Sequence, residues 1–151
     1  MIYPARSSNR GVTLIELFLV VTLVSILSLV STAFYSRFLG ANAVDVVRDD
    51  IVGSLRKAQI YSMMGKQNSV WGVYYNSGTS LLTLFMGNSY ALRDAAFDEE
   101  FNLNPNVSLS GLSEITFSRI TGLPSSQPTI NITYGNKSRT VTMNSQGIVN
   151  R

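Results

Sequence analysis

The most informative part of the chain is residues 11–37, GVTLIELFLVVTLVSILSLVSTAFYSR. The twenty residues from Leu17 to Ser36 carry no charged side chain, and neither proline nor glycine interrupts them. Twenty residues of α-helix rise about 30 Å, which matches the hydrocarbon core of a bilayer. The sequence therefore predicts one long apolar helix that can serve as a single-pass membrane anchor.

Basic residues precede this apolar run. The first eleven residues, MIYPARSSNRG, contain Arg6 and Arg10 and no acidic residue. Positive charge next to a membrane span favours the cytoplasmic side. We therefore expect a cytoplasmic N-terminus, with most of the chain on the other side of the membrane.

Glu16 stands one residue before the apolar run. An ionisable group at that place is costly and usually functional. The spacing of Thr13-Leu14-Ile15-Glu16 also fits a capping box, in which Glu16 would stabilise the start of the helix. Both interpretations can hold at once.

Three interpretations of the N-terminal segment remain open on these grounds. A plain anchor explains the length of the run but gives no role to Gly11 or Glu16. A secretory signal could be cut after Ser31-Thr32-Ala33, although the run is long for such a signal and Glu16 fits it poorly. The third interpretation is a leader that is removed at Gly11.

The third interpretation rests on a family resemblance. Residues 10–17, RGVTLIEL, resemble the class III signal sequence of type IV pilins and type II secretion pseudopilins. In that family a basic leader is cut after a glycine, and a hydrophobic residue, Thr-Leu-Ile-Glu and a long apolar helix follow. This chain departs from the pattern at Val12, where the family most often has Phe or Met.

The resemblance implies specific partners and roles. A prepilin peptidase would cut the Gly11–Val12 bond and methylate the new amine of Val12, and Glu16 would pair with the N-terminal amine of a neighbouring subunit. Other subunits and the inner-membrane assembly platform would be further partners. The protein would lie in the cytoplasmic membrane, with its C-terminal domain periplasmic or extracellular, and also in the assembled filament.

Beyond the apolar run, a helical pattern continues and then gives way to strands. Gly65 would end this helix as a C-terminal cap. The apolar residues that recur at helical spacing are Val44, Val47, Ile51, Leu55, Ala58 and Tyr61. We expect a leader at 1–11, a transmembrane and filament-core helix at 12–39, and a globular domain at 40–151 with helix at 41–64. The predicted fold is α+β and pilin-like, with a long N-terminal helix packed on an antiparallel β-sheet domain.

Strand signals occur at six places, whereas residues 90–107 show no clear pattern. The predicted strands are 70–75, 81–86, 114–119, 129–134, 138–143 and 148–149. Three stretches resemble the GspH/FimT-type minor pseudopilins in particular: Ile115-Thr116-Phe117, the Gly122 loop, and Thr140-Val141-Thr142 followed by Gly147-Ile148-Val149. The resemblance implies a minor subunit of a type IV pilus or a type II secretion pseudopilus.

The composition argues against catalysis. The chain has no cysteine and no histidine, which excludes thiolate nucleophiles, imidazole bases and cysteine–histidine zinc sites. An acidic group is most simply explained as a surface loop: Asp94, Asp98, Glu99 and Glu100. We expect no enzyme activity, no metal site and no cofactor.

An alternative function is DNA binding by a minor pilin during DNA uptake. The candidate cations are Lys137, Arg139 and Arg151, and the aromatic residues that could stack on bases are Trp71, Tyr74 and Tyr75. The simpler explanations are a solvated hairpin edge for the cations and the core of the sheet for the aromatic residues. The electrostatic signal is weak. Loss of Arg6 and Arg10 with the leader lowers the formal charge from +3 to +1.

Overall fold

The computed structural model describes residues 11–150, of which residues 30–41 are described by their backbone alone. Helix α1 is the first element and runs from Leu14 to Met63. Short 3₁₀ turns lie at Lys66–Asn68, Tyr90–Leu92 and Ala95–Phe97. The strands are β1 Trp71–Asn76, β2 Leu81–Met86, β3 Glu99–Asn102, β4 Ser108–Ser110, β5 Glu114–Phe117, β6 Thr129–Tyr134, β7 Lys137–Met143 and β8 Val149–Asn150.

The chain divides into two units, residues 1–38 and 39–151. In the first unit, the described part is the exposed segment 11–29, which enters α1 at Leu14. The second unit contains the later part of α1 and all the strands. The buried hydrophobic residues of the described chain all belong to this second unit, between Val44 and Val149.

The later part of α1 buries the apolar face that the sequence predicts. Val44, Val47, Ile51, Leu55 and Ala58 are all buried. Their spacing of three and four residues places them on one side of the helix, so they leave water together when the sheets cover that side. The predicted core face of this helix is confirmed.

The end of α1 depends on a glycine. Gly65 has a φ of 61°, in the left-handed region that glycine adopts without strain. Its N–H donates to the carbonyl of Ser62, while the N–H of Met64 donates to the carbonyl of Ile60. The predicted C-terminal cap is confirmed.

Two antiparallel sheets cover the helix, where the sequence predicts a single sheet. One sheet has the strand order β3-β2-β1-β5 and the other has the order β4-β6-β7-β8. Buried residues of both sheets join the helix in one core, including Val73, Leu84 and Phe117 from the first sheet and Ile132 and Val141 from the second. The α+β class with antiparallel strands is confirmed.

Ser62 and Trp71 connect the helix to the first strand. The backbone N–H of Trp71 donates to Ser62 Oγ at 2.9 Å, and the indole N–H donates to the carbonyl of Lys66 at 3.0 Å. Tyr61 meets the indole edge to face, with ring centroids 4.8 Å apart. Trp71 is 1% exposed, so the polar groups at this junction are paired within the protein.

Residues 90–107, which the sequence leaves unassigned, contain two 3₁₀ turns and the edge strand β3. β3 pairs with β2 along Leu81–Leu84, and Arg93 contacts Asp98 at 2.7 Å. Lys57 of α1 donates a hydrogen bond to Glu99. This hydrogen bond, strengthened by the charge of Glu99, raises the pKa of Lys57 above its ordinary value. Strand pairing with β2 and the contact of Glu99 with Lys57 therefore connect this segment, which has little local pattern of its own, to the rest of the domain.

Candidate assembly site

The bond between Gly11 and Val12 precedes the helix and lies in exposed chain. A Cβ atom built on Gly11 meets no atom within 4 Å, so the fold itself leaves room for a side chain there. Val12 is 73% exposed. Packing against the described residues therefore does not require a glycine at position 11.

Thr13 caps the start of α1. Its Oγ1 accepts the N–H of Glu16 at 3.3 Å, and its carbonyl accepts the N–H of Leu17 at 3.1 Å. These contacts agree with the side-chain half of the predicted capping box. The Glu16 side chain is exposed, and among the side chains of residues 11–29 and 42–150 it has no ion-pair partner.

The segment from Leu14 to Leu29 exposes apolar side chains all around the helix. Even its hydroxyl groups are satisfied internally, since Thr22 donates to the carbonyl of Phe18 at 2.8 Å and Ser25 donates to that of Val21 at 2.7 Å. Exposed apolar surface of this extent marks an interaction surface. Each large apolar side chain gains roughly 1.5–3 kcal/mol when it is removed from water.

Within the described part of the chain, none of the helices has a stretch that is long and apolar enough to cross a membrane. The predicted span from Leu17 to Ser36 runs into residues 30–41, whose side chains lie outside the described ones. The leader, residues 1–11, also lies outside them apart from Gly11. The transmembrane half of the helix stays a prediction.

Of the candidate cations for nucleic acid, Arg139 is paired with the helix in the described chain. Arg139 Nε contacts Asp45 Oδ1 at 3.0 Å, and the same oxygen contacts Arg48 at 3.0 Å. Lys137 is exposed at the start of β7, and Arg151 lies outside the described residues. The charge of Arg139 is therefore largely engaged by α1.

The hairpin of β6 and β7 presents an uncharged polar face. Ile130, Ile132, Val141 and Met143 turn inward and are buried. The alternate residues therefore face outward, and they carry hydroxyl or amide groups: Thr129, Asn131, Thr133, Ser138, Thr140 and Thr142. Such a face offers no cations for phosphate groups. The alternation of polar and apolar residues along β6 and the end of β7 is the sequence signal that predicts this face.

The aromatic residues are mostly occupied by the core. Trp71 and Tyr75 are buried, and Tyr74 stacks on Tyr90 with ring centroids 3.8 Å apart. The simpler interpretation from the sequence, aromatic residues in the core of the sheet, is confirmed for Trp71 and Tyr75.

The acidic group of residues 94–100 is built into the fold. Asp94 accepts the N–H of Ala96 at 3.1 Å, Asp98 pairs with Arg93, and Glu99 pairs with Lys57. The described residues contain no group of three or more acidic side chains that could hold a metal ion. These carboxylates therefore cap a turn and fasten β3.

Comparison with known proteins identifies a similar fold. No protein-family model matches the chain, and neither does a curated protein sequence. Among solved structures, the chain is similar to the minor pseudopilin EpsH from the type 2 secretion system of Vibrio cholerae, with a TM-score of 0.53. The sequence identity is 13%, and the similarity covers 71% of this chain and 94% of that chain. The chain therefore has a pilin-like fold.

Proposed function

We propose that this protein is a minor pilin or pseudopilin, a structural subunit of a type IV pilus or a type II secretion pseudopilus. A prepilin peptidase removes residues 1–11 and methylates the amine of Val12. Before assembly, the mature subunit resides in the cytoplasmic membrane, with its C-terminal domain on the outer side. It then enters a filament through the inner-membrane assembly platform. The exposed apolar surface of residues 14–29, on a chain with a pilin-like fold, carries this proposal.

The apolar segment suits two environments in turn. Its apolar side chains are stabilised when they are removed from water. Both lipid and a bundle of helices from other subunits provide the apolar surroundings that do this. The hydroxyls of Thr22 and Ser25 bond to carbonyls of their own helix, so they need no partner outside it. The helix can therefore move from lipid into a filament at little cost in hydrogen bonds.

Glu16 supplies the polar contact in this scheme. Its carboxylate is exposed near the free end of the helix, where the amine of Val12 in an adjoining subunit can reach it. Two opposite charges about 4 Å apart attract by roughly 4 kcal/mol at an effective dielectric constant near 20, before desolvation is subtracted. An unpaired charge in an apolar bundle is penalised, so the pair favours one axial register over others.

Processing tests the leader. The full chain is expressed in a bacterial host with and without a prepilin peptidase, and the N-terminus of the product is read by mass spectrometry. We expect the peptidase to produce a methylated Val12 terminus. The matched control is Gly11→Ala, which the structure accommodates without a clash and which should stay uncut. A product that starts at Phe34, or an uncut wild-type chain, would contradict the proposal.

A second experiment separates the charge of Glu16 from its place in the helix cap. Glu16→Gln keeps the shape of the side chain and removes its charge, so we expect the subunit to be processed but lost from filaments. Thr13→Ala removes the hydroxyl that accepts the Glu16 N–H, which costs about 0.5–2 kcal/mol of helix stability, and keeps the charge. We expect Thr13→Ala to assemble. Equal assembly of Glu16→Gln and wild type would leave Glu16 with the capping role alone.

A further inference from the structure

Three short stretches of the chain have the sequence Asn-x-Ser/Thr, in which x is not proline. They are Asn106-Val107-Ser108, Asn131-Ile132-Thr133 and Asn136-Lys137-Ser138. This triplet is the acceptor for N-linked glycans, in which an oligosaccharide is attached to the amide of the asparagine. All three triplets lie in or beside the second sheet, and their asparagines are exposed. The sequence alone does not distinguish between them.

The middle residue distinguishes the three triplets in the folded protein. Val107 is 4% exposed and Ile132 is 0% exposed, and both side chains belong to the hydrophobic core. Lys137 is exposed, and so is Ser138 after it. An enzyme has to bind all three residues of its acceptor, so a triplet with a buried middle residue becomes accessible only through local unfolding. The folded domain therefore presents Asn136-Lys137-Ser138 to an enzyme.

Asn136 lies in the turn between β6 and β7. The turn is short, because β6 ends at Tyr134 and β7 begins at Lys137. Gly135 precedes Asn136 with a φ of 56°, and a Cβ atom built on it meets no atom within 4 Å. A glycan is bulky and polar, so it needs a surface site with open space of this kind.

The hydrogen bonds of the three asparagines differ in the same way. Asn131 Oδ1 accepts the hydroxyl of Thr140 at 3.1 Å, and the backbone N–H of Asn106 donates to Asn104 Oδ1 at 3.0 Å. Within residues 42–150, the amide of Asn136 has no hydrogen-bond partner. Its nitrogen can therefore react without the loss of a contact that holds the fold.

We propose that Asn136 is the acceptor of an N-linked oligosaccharide. The donor is an oligosaccharide carried on a polyisoprenyl diphosphate, which a membrane oligosaccharyltransferase uses. Asn136 Nδ2 gives up one proton and forms a bond to C1 of the first sugar. The bond between C1 and the diphosphate oxygen breaks, and the lipid diphosphate leaves with that electron pair. The proposal rests on the function proposed above in one respect, since the outer side of the membrane is where the domain meets such an enzyme.

The site can be tested with the purified full chain in detergent, an oligosaccharyltransferase and a synthetic lipid-linked oligosaccharide. Tyr134 stands two residues before Asn136, so the enzyme is one that requires no acidic residue at that place. We expect intact-mass spectrometry to show one added oligosaccharide on the folded chain. The fluorescence of Trp71, the single tryptophan, shows that the chain is folded during the reaction.

Tryptic peptides and two variants locate the oligosaccharide. Cleavage after arginine and lysine leaves Asn106 in the peptide 94–119, and Asn131 and Asn136 in the peptide 120–137. Asn136→Gln should lose the oligosaccharide. Ser138→Ala keeps the amide but breaks the triplet, and it should lose the oligosaccharide as well.

Thr133→Ala is the matched control, because it breaks the triplet of Asn131 in the same way. This variant should be modified to the same extent as the wild-type chain. We also expect Asn136 to react at least about tenfold faster than Asn106 or Asn131, because those two become accessible only in locally unfolded molecules. Synthetic peptides that contain the three triplets should react at similar rates, since no fold protects them.

Two results would overturn the proposal. The first is a folded wild-type chain that stays unmodified while the Asn136 peptide is modified. The second is modification of Asn106 or Asn131 in the folded chain at the rate of Asn136, because exposure would then not select the site.

Cells that contain the same enzyme distinguish this proposal from the proposed function. The purified reaction does not depend on membrane orientation, so its failure defeats the Asn136 site and leaves the proposed function. A chain that is modified in the purified reaction but not in cells would contradict the outer location of the domain and leave the Asn136 site.

Discussion

Glu16 and Gly11 are both exposed residues near the start of α1. Thr13 uses the backbone N–H of Glu16 to start the helix, while the Glu16 carboxylate remains exposed. Gly11 has open space around it and no unusual backbone requirement. The roles proposed for both residues depend on partner proteins, so a sequence motif indicates them and the packing of the chain does not.

At the same scale, two glycines should respond in opposite ways to one extra methyl group. A Cβ on Gly72 would lie 2.7 Å from the Ile115 carbonyl oxygen and 2.7 Å from a ring carbon of Phe85. We expect Gly72→Ala to lower the free energy of unfolding by about 1–3 kcal/mol, because the added methyl group would clash with this carbonyl oxygen and ring and would force them to move. Denaturant titration followed by Trp71 fluorescence measures it.

Gly53 is the matched control, since it lies on the exposed side of α1 with no atom within 4 Å of an added Cβ. Gly53→Ala should raise the free energy of unfolding by about 0.5–1 kcal/mol, because alanine loses less backbone entropy in a helix. Two changes of the same sign would show that the close contact at Gly72 does not govern stability.

At the scale of elements, the ion pair between Lys57 and Glu99 joins α1 to the edge strand β3. Both side chains are about one-third exposed, so solvent screens the pair and we expect it to contribute less than about 1 kcal/mol. The pKa of Lys57 is raised in the folded state by its bond to Glu99. The contribution is therefore complete below the unfolded pKa and is lost as the pH rises through the folded one.

This sign predicts a specific pH dependence. Wild type should be more stable than Lys57→Met at neutral pH, and the difference should shrink as the pH rises above the ordinary lysine pKa of 10.5. Urea unfolding midpoints of both proteins at neutral and alkaline pH measure the difference. Comparison with Lys57→Met removes the effect of other groups that titrate in the same range. A difference that grows with pH would contradict the assignment.

Elements with strong local patterns were predictable, and those held by tertiary contacts were not. β2 and β6 have the predicted bounds, since Leu81–Met86 and Thr129–Tyr134 are bordered by turn residues. β3 was missed because it alternates weakly and because its place at the sheet edge is set by its long-range pairing with β2. The division into two sheets was also missed, because strand order is a long-range property that local alternation does not encode.

The candidate site divides in the same way. The motif around Gly11 and Glu16 could be found because neighbouring residues carry it. The pairing of Arg139 with Asp45 could not, since the fold brings these residues together from more than ninety positions apart in the chain. Core packing of Trp71 could be predicted, because an aromatic residue in a strand pattern is usually buried.

At the scale of the whole molecule, residues 39–151 hold every buried hydrophobic residue of the described chain. We expect a variant that lacks residues 1–38 to fold by itself, with a free energy of unfolding in the usual range of about 5–15 kcal/mol. Circular dichroism and Trp71 fluorescence should lose signal together in one cooperative urea transition. Gradual unfolding, or an exposed indole in water, would show that the first 38 residues are needed for the core.

The hydroxyl groups of Thr22 and Ser25 bind carbonyls one turn back in the same helix. Because these hydroxyl groups are bound within the helix, residues 14–29 present an apolar surface to neighbouring helices. Such a surface does not favour one crossing angle or one axial position over another. In the proposed filament, the helices of neighbouring subunits should therefore slide and rotate against one another at low energetic cost. Contacts between charged groups would then fix their positions. Stretching under load, followed by recovery without refolding, is the mechanical behaviour that we expect from such a bundle.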